Sequence, residues 1–210
     1  MKVGIVGSIR GDILGIPLSY AEYIKSVLGG EIIILSQTSS IQDLDLLILP
    51  GGADVNPERY GAIPDFNTGT PDILKEYFDI HHLPLYISKK TPIFAICRGF
   101  QSINTLLHGT LIQNMYHETN TKDNPYDAVH PVFDYKDKSR AVFKVNSRHH
   151  QAIDILGDGL IPLLHHKDET IEAFWHNDLP IFGVQWHPED LYDIDSTEWI
   201  KNKLNTIMEK

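Results

Sequence analysis

Runs of consecutive apolar residues alternate with amphipathic segments along the chain. Residues 3–6, 31–35, 45–49 and 92–96 are apolar at successive positions rather than at every second one. That pattern predicts strands buried on both faces, as in a parallel sheet covered by helices. Residues 17–28 place Leu18, Ala21, Ile24, Val27 and Leu28 on one helical side, with Gly29-Gly30 as the stop. Residues 72–87 also read as a helix, which Pro84 should kink or break. Residues 100–107 are apolar at helical spacing and end at Gly109.

The segment 53–71 holds Pro57, Pro64 and Pro71 with few large aliphatics, and reads as a long surface loop. Residues 116–139 read as polar and irregular. Residues 141–145, 170–175 and 181–186 read as strands. A closing helix is expected over 196–208, capped by Ser196 or Thr197. Strand–helix alternation followed by a late run of strands predicts one α/β domain over 1–210 with a mixed sheet.

Composition narrows the function. The 210 residues carry a formal net charge of −10. An acidic chain is a poor partner for nucleic acid or an anionic membrane surface. No stretch approaches the roughly 18 apolar residues of a membrane span. The first residues read as a strand rather than a targeting segment, so a cytoplasmic location is expected. Cys97 is the single cysteine, which excludes an intramolecular disulfide and cysteine-rich zinc sites. The pairs His81-His82, His149-His150 and His165-His166 invite a metal reading. Adjacent side chains point apart, however, so no metal site is expected. The acidic stretch 189–195 reads as a solvated loop, and Phe174, Trp175, Phe182 and Trp186 as packing.

Three segments carry candidate chemistry. In Ile93-Phe94-Ala95-Ile96-Cys97-Arg98-Gly99-Phe100-Gln101 an apolar strand ends at a cysteine and a helix begins at once. A tight strand-to-helix turn lifts the side chain out of the sheet, and a helix N-terminus favours a thiolate. Gly99 lets that turn pack against a neighbouring strand. A buried structural cysteine is the plainer alternative. In Phe182-Gly183-Val184-Gln185-Trp186-His187-Pro188-Glu189 a strand runs into His187 and Glu189, two residues apart and facing one way. A histidine oriented by a carboxylate is the base a cysteine nucleophile needs, though among 11 histidines such a pair also arises by chance. In Pro50-Gly51-Gly52 the glycines could aim backbone N–H groups at a developing oxyanion, or simply form a turn.

Together these segments resemble the class I glutamine amidotransferase family, in order and spacing. The strings 50–57 with Tyr60-Gly61, 94–99 with Gln101, Asn146-Ser147-Arg148-His149-His150-Gln151 and 183–189 are similar to its γ-glutamyl hydrolase branch. The resemblance implies a flavodoxin-like three-layer sandwich with a mostly parallel central sheet and a nucleophile elbow. It implies Cys97 as nucleophile, His187 as acid and base, and Glu189 as its orienting carboxylate. It gives the oxyanion hole to the N–H groups of Gly52 and Arg98, and substrate contacts to Gln101, Ser147 and His149. The reaction implied is hydrolysis of a γ-glutamyl amide, γ-glutamyl-γ-aminobutyrate or a similar γ-glutamyl amine, through a thioester and without a cofactor. Alternatives are a glutaminase subunit that delivers ammonia to a partner synthetase, and an idle binding protein. A homodimer is compatible with either activity. The family's Arg-Asp pair and later Glu on the helix before the elbow correspond here to Lys75, Glu76 and Asp79. The chain is also shorter than the typical hydrolase, mainly in its N-terminal third and after Gly61.

Overall fold

A computed structural model describes residues 1–115, 129–191 and 193–210. The chain begins with β1 (Lys2–Val6), a short hairpin of β2 (Ser8–Arg10) and β3 (Ile13–Gly15), and α1 (Leu18–Tyr23). A π-helical turn over Ile24–Leu28 extends α1 to Gly29, whose φ of 69° makes the left-handed stop. Then come β4 (Glu31–Leu35), β5 (Leu46–Leu49), α2 (Ile73–His81), α3 (Leu83–Ser88), β6 (Ile93–Ile96) and α4 (Arg98–Leu106). The second half holds β7 (Leu111–Ile112), β8 (Val129–Asp134), β9 (Ala141–Asn146), β10 (Ala152–Ile153), β11 (Leu160–His165), β12 (Ile171–His176), β13 (Ile181–Val184) and α5 (Ile194–Met208).

Nine strands form one sheet in the order β4-β1-β5-β6-β13-β12-β11-β8-β9. The first five are parallel, and the remaining pairings are antiparallel. The strands β5, β6 and β13 are buried at every position, as unbroken apolar runs require. The run 31–35 departs from that expectation. It is the outer strand β4, and Ile34 stays 39% exposed. One core, with Tyr23, Ile24, Ile200 and Leu204, lies on one face of the sheet; the other, with Phe78, Leu83, Phe100 and Ile103, lies on the opposite face. Helices on both faces of a mixed sheet make the three-layer α/β sandwich.

Other boundaries differ from expectation for local reasons. The 72–87 helix divides at His82, just before Pro84. The segment 129–134, read as irregular, is the strand β8, whereas 116–128 lie outside the described residues. Helix α5 starts earlier than expected because Asp193, not Ser196, is its cap, accepting the Ser196 N–H at 2.8 Å. Helix α4 ends on a left-handed His108 (φ 68°), and Gly109 follows it to donate to the Asn104 carbonyl. The loop 53–71 contains a 3-10 turn, Pro57–Tyr60, whose Arg59 anchors it to Asp79 and Ser102. No helix among the described residues is long and apolar enough to cross a membrane.

Candidate active site

The site forms where β5, β6 and β13 end side by side. Cys97 follows β6 directly and has φ 49° and ψ −105°, the sharp turn expected of an elbow. Its N–H donates to the Val184 carbonyl at 2.8 Å, fixing the turn to β13. Gly99 explains how the turn fits. A Cβ there would stand 2.2 Å from the Leu49 carbonyl oxygen, closer than any side chain can lie. The turn therefore presses α4 onto the end of β5.

His187 follows β13, and its Nδ1 lies 2.6 Å from Glu189 Oε1. The imidazole also lies within electrostatic reach of the Cys97 side chain. Burial works against a charged ring, but Cys97 and Glu189 outweigh it and hold the His187 pKa at about 10. Glu189 is 1% exposed, so this carboxylate belongs to the site rather than to a solvated loop.

The β5 end supplies Gly51 and Gly52. The Gly51 N–H donates to Tyr20 Oη at 2.9 Å, and Lys75 Nζ donates to the Gly51 carbonyl at 2.5 Å. Burial, then the Glu189 charge, holds the Tyr20 hydroxyl well above its ordinary pKa. Burial, then the Arg98 charge, pushes the Lys75 ammonium down to about 8. Asn146, at the end of β9, clasps the His187 peptide: its Nδ2 donates to the His187 carbonyl and its Oδ1 accepts the His187 N–H, both at 2.8 Å.

The positions singled out on α2 form a buried charge network. Arg98 donates to Glu76 Oε1 at 2.5 Å and to Asp79 Oδ2. Arg59 reaches the same Asp79 oxygen at 3.0 Å, and Ser102 Oγ donates to it at 2.6 Å. Burial opposes the Arg98 charge, and Asp79 and Glu76 more than offset it.

A cavity of about 720 Å³ opens beside the dyad, with Gly52, Lys75, His187 and Glu189 on one side and hairpin residues such as Ser8 and Ile13 on the other. Gln101, Ser147 and His149 are buried and do not line it. Gln101 Nε2 donates to the Gln151 carbonyl and to Gln185 Oε1, while its N–H takes the Cys97 carbonyl one turn away. His149 and His150 do point apart. His149 Nδ1 meets the Gln151 carbonyl at 2.9 Å, and His150 Nε2 meets Asp54 at 3.0 Å. Among the described residues, the three possible metal ligands that converge are His187, Glu189 and Asp190. They have other partners, His187 and Glu189 each other and Asp190 the Arg148 guanidinium.

Sequence reasoning named Cys97, His187 and Glu189, and the structure places them together. It did not single out Tyr20, Lys75 as a partner of Gly51, or Asn146 as a clasp. Asn146 lay inside a quoted motif; Tyr20 gave no local signal.

The family described as Peptidase C26 matches residues 14–189. The glutamine amidotransferase-like protein YvdE of Lactococcus lactis subsp. lactis is 30% identical over 184 residues, covering 80% of this chain and 78% of that protein. The gamma-glutamyl-CDP-amidate hydrolase of Campylobacter jejuni is 31% identical over 151 residues, covering 69% of this chain and 68% of the relative. A crystal structure of a glutamine amidotransferase from Thermotoga maritima superposes with a TM-score of 0.61 at 15% identity, covering 98% of this chain and 89% of that one. This last likeness is one of fold.

Proposed function

The chain belongs to the peptidase C26 family, a class I glutamine amidotransferase-like group, and on that premise we propose that it hydrolyses γ-glutamyl amide bonds with Cys97 as nucleophile. One observation carries the reading. A cysteine held at φ 49° on a strand-to-helix turn lies within electrostatic reach of a histidine that a buried glutamate holds at 2.6 Å.

The steps follow from that arrangement. The Cys97 thiolate attacks the γ-carbonyl carbon. The Gly52 and Arg98 N–H groups receive the oxyanion. Protonated His187 gives its proton to the leaving nitrogen, and the C–N bond breaks. The products at this stage are a free amine and a γ-glutamyl thioester on Cys97. His187 then takes a proton from water, which attacks the thioester and releases glutamate. Glu189 holds the imidazole in the orientation that serves both transfers. Gln101, one helical turn beyond the nucleophile, and Ser147 and His149, which follow β9, are buried outside the cavity, so they are assigned to shaping the glutamyl end from behind rather than to lining it.

The leaving group is assigned as a γ-glutamyl amine, γ-glutamyl-γ-aminobutyrate or a close analogue. The relative named as a gamma-glutamyl-CDP-amidate hydrolase supports release of something larger than ammonia. The test offers the purified chain glutamine, γ-glutamyl-γ-aminobutyrate and γ-glutamyl peptides, and measures glutamate. Faster release from a γ-glutamyl amine than from glutamine is expected. Cys97→Ala should lower turnover by about 10³-fold or more. Equal turnover by Cys97→Ala would overturn the mechanism. Silence of the parent on every substrate, with Cys97 still open to alkylation, would favour a glutaminase subunit that waits for a synthetase.

A further inference from the structure

Both polar groups of the Gly51 backbone are tied to side chains from elsewhere in the fold. Its N–H donates to Tyr20 Oη at 2.9 Å. Its carbonyl accepts from Lys75 Nζ at 2.5 Å. No peptide bond among the described residues is cis. The carbonyl of Gly51 and the N–H of Gly52 therefore share one rigid plane and point in opposite directions. Whatever fixes the first fixes the second.

Two consecutive glycines are the least restrained backbone a chain can offer, so this plane has little local reason to hold one direction. The glycines are nevertheless required by close approach. A Cβ on Gly52 would stand 2.7 Å from Lys75 Nζ, and one on Gly51 would stand 2.6 Å from His187 Cε1. The lysine reaches the Gly51 carbonyl through the space that a side chain on Gly52 would take, and the imidazole of His187 packs where one on Gly51 would stand. Lys75 is itself 5% exposed, at the start of α2, where the Asp72 carboxylate caps the helix. It lines the cavity beside His187.

We propose that Lys75 is a positioning residue for the reaction: by holding the Gly51 carbonyl it sets the direction of the Gly52 N–H, and so aims one donor of the oxyanion site. The inference rests on the reading above for the role of Gly52. Helix α2 then serves both halves of that site. Lys75 orients the Gly51–Gly52 peptide, and Glu76 and Asp79 hold the side chain of Arg98, whose own N–H is the second donor.

A different role for the same lysine would be a purely electrostatic one, stabilising the Cys97 thiolate by its charge. The two roles separate experimentally, because alkylation of a thiol by iodoacetamide develops no oxyanion. They also differ in pH behaviour. The charges facing Lys75 are Arg98, which with burial lowers its pKa to about 8, and Asp72, Asp79 and Cys97, which raise it. Loss of the ammonium above that pH weakens the clamp.

The experiment compares Lys75→Met and Lys75→Arg with the parent. Crystal structures give the direction of the Gly51 carbonyl. Kinetics use the γ-glutamyl amide that the parent splits fastest, alongside the rate of Cys97 alkylation at neutral pH. In Lys75→Met the Gly51–Gly52 plane should turn. With it kcat should fall by about 10²-fold or more, KM and the alkylation rate changing by no more than about threefold. Lys75→Arg should restore most of kcat and move the alkaline fall in kcat from near pH 8 to higher pH. A Gly51 carbonyl that keeps its direction in Lys75→Met overturns the proposal, whatever happens to kcat. So does a fall in alkylation that matches the fall in kcat. Should Lys75→Met not fold, an alkaline limb that stays in place in Lys75→Arg overturns it instead. A parent inactive on all γ-glutamyl amides would defeat the functional reading, while the crystal structures still decide whether Lys75 sets the peptide plane.

Discussion

A single backbone angle defines the chemistry of Cys97. Its φ of 49° is a conformation that a side chain bearing a Cβ adopts at a cost of about 1–3 kcal/mol. The surroundings enforce it through the Cys97 N–H on Val184 and the packing of Gly99 on Leu49. Two substitutions separate this strain from chemistry. Cys97→Ala keeps the Cβ and hence the strain, whereas Cys97→Gly removes it. Both should abolish turnover. The glycine variant gains flexibility in the unfolded chain, which offsets part of the relief, so it should exceed the alanine variant by about 1 kcal/mol in urea unfolding. A glycine variant less stable than the alanine variant would show that the elbow is unstrained. Cys97→Ala also strips His187 of a partner that holds its pKa near 10, so the imidazole should titrate lower, visible by NMR. The turn at this scale was largely readable from sequence: an apolar run, a cysteine, then Gly two residues on is a local pattern. Tyr20, Lys75 and Asn146 were not readable in this way. Each meets its partner across 31, 24 and 41 residues respectively, so even where the position itself stood out, as at Lys75 and Asn146, its partner did not.

Elements explain why the elbow sits where it does. Helix α4 is pressed onto β5, and α2 packs against α4. Gly99→Ala would drive a Cβ into the Leu49 backbone, which no rotamer change relieves. It should destabilise the fold by about 3 kcal/mol or yield insoluble protein, measured by chemical denaturation. Asp79 is a comparable point of vulnerability. It accepts from Arg98, Arg59 and Ser102 at 2% exposure, and Asp79→Ala would leave two guanidinium groups short of their counter-charge. A loss of about 3–5 kcal/mol is expected. The strands that build the site were legible because parallel burial leaves an unbroken apolar run. The strands β8 and β11 were not. Each contains a proline, Pro131 and Pro162, which argues against a strand from sequence alone. Their pairings also shift register, between Val132 and Phe133 and between Pro162 and Leu164. The hairpin β2–β3 is too short, at three residues a strand, to show a period.

For the molecule as a whole, the antiparallel extension does more than widen the sheet. Its last strand, β9, lies at the edge, four places from β13. Yet Phe143 on β9 packs edge-on against Trp186 and Trp199, and Asn146 at its end reaches the peptide of His187. The far edge of the sheet therefore curls back over the end of β13 that leads to His187. Tertiary closure of this kind fixes the position of His187, the proposed general base, through the Asn146 clasp. Replacing Asn146 by Ala removes two hydrogen bonds and leaves the part-buried His187 N–H and carbonyl without those partners. Unfolding free energy should drop by about 2–4 kcal/mol. A histidine displaced by a fraction of an ångström loses its alignment with Cys97, so kcat should fall by about tenfold to a hundredfold, KM changing little. Lys144→Ala, on the exposed side of the same strand two residues earlier, supplies the control and should change neither quantity. If Asn146→Ala loses stability but keeps full kcat, the curl of the sheet supports the fold without positioning the base. A parallel fall in stability and kcat for Lys144→Ala would mean instead that β9 as a whole, rather than its terminal amide, governs the site.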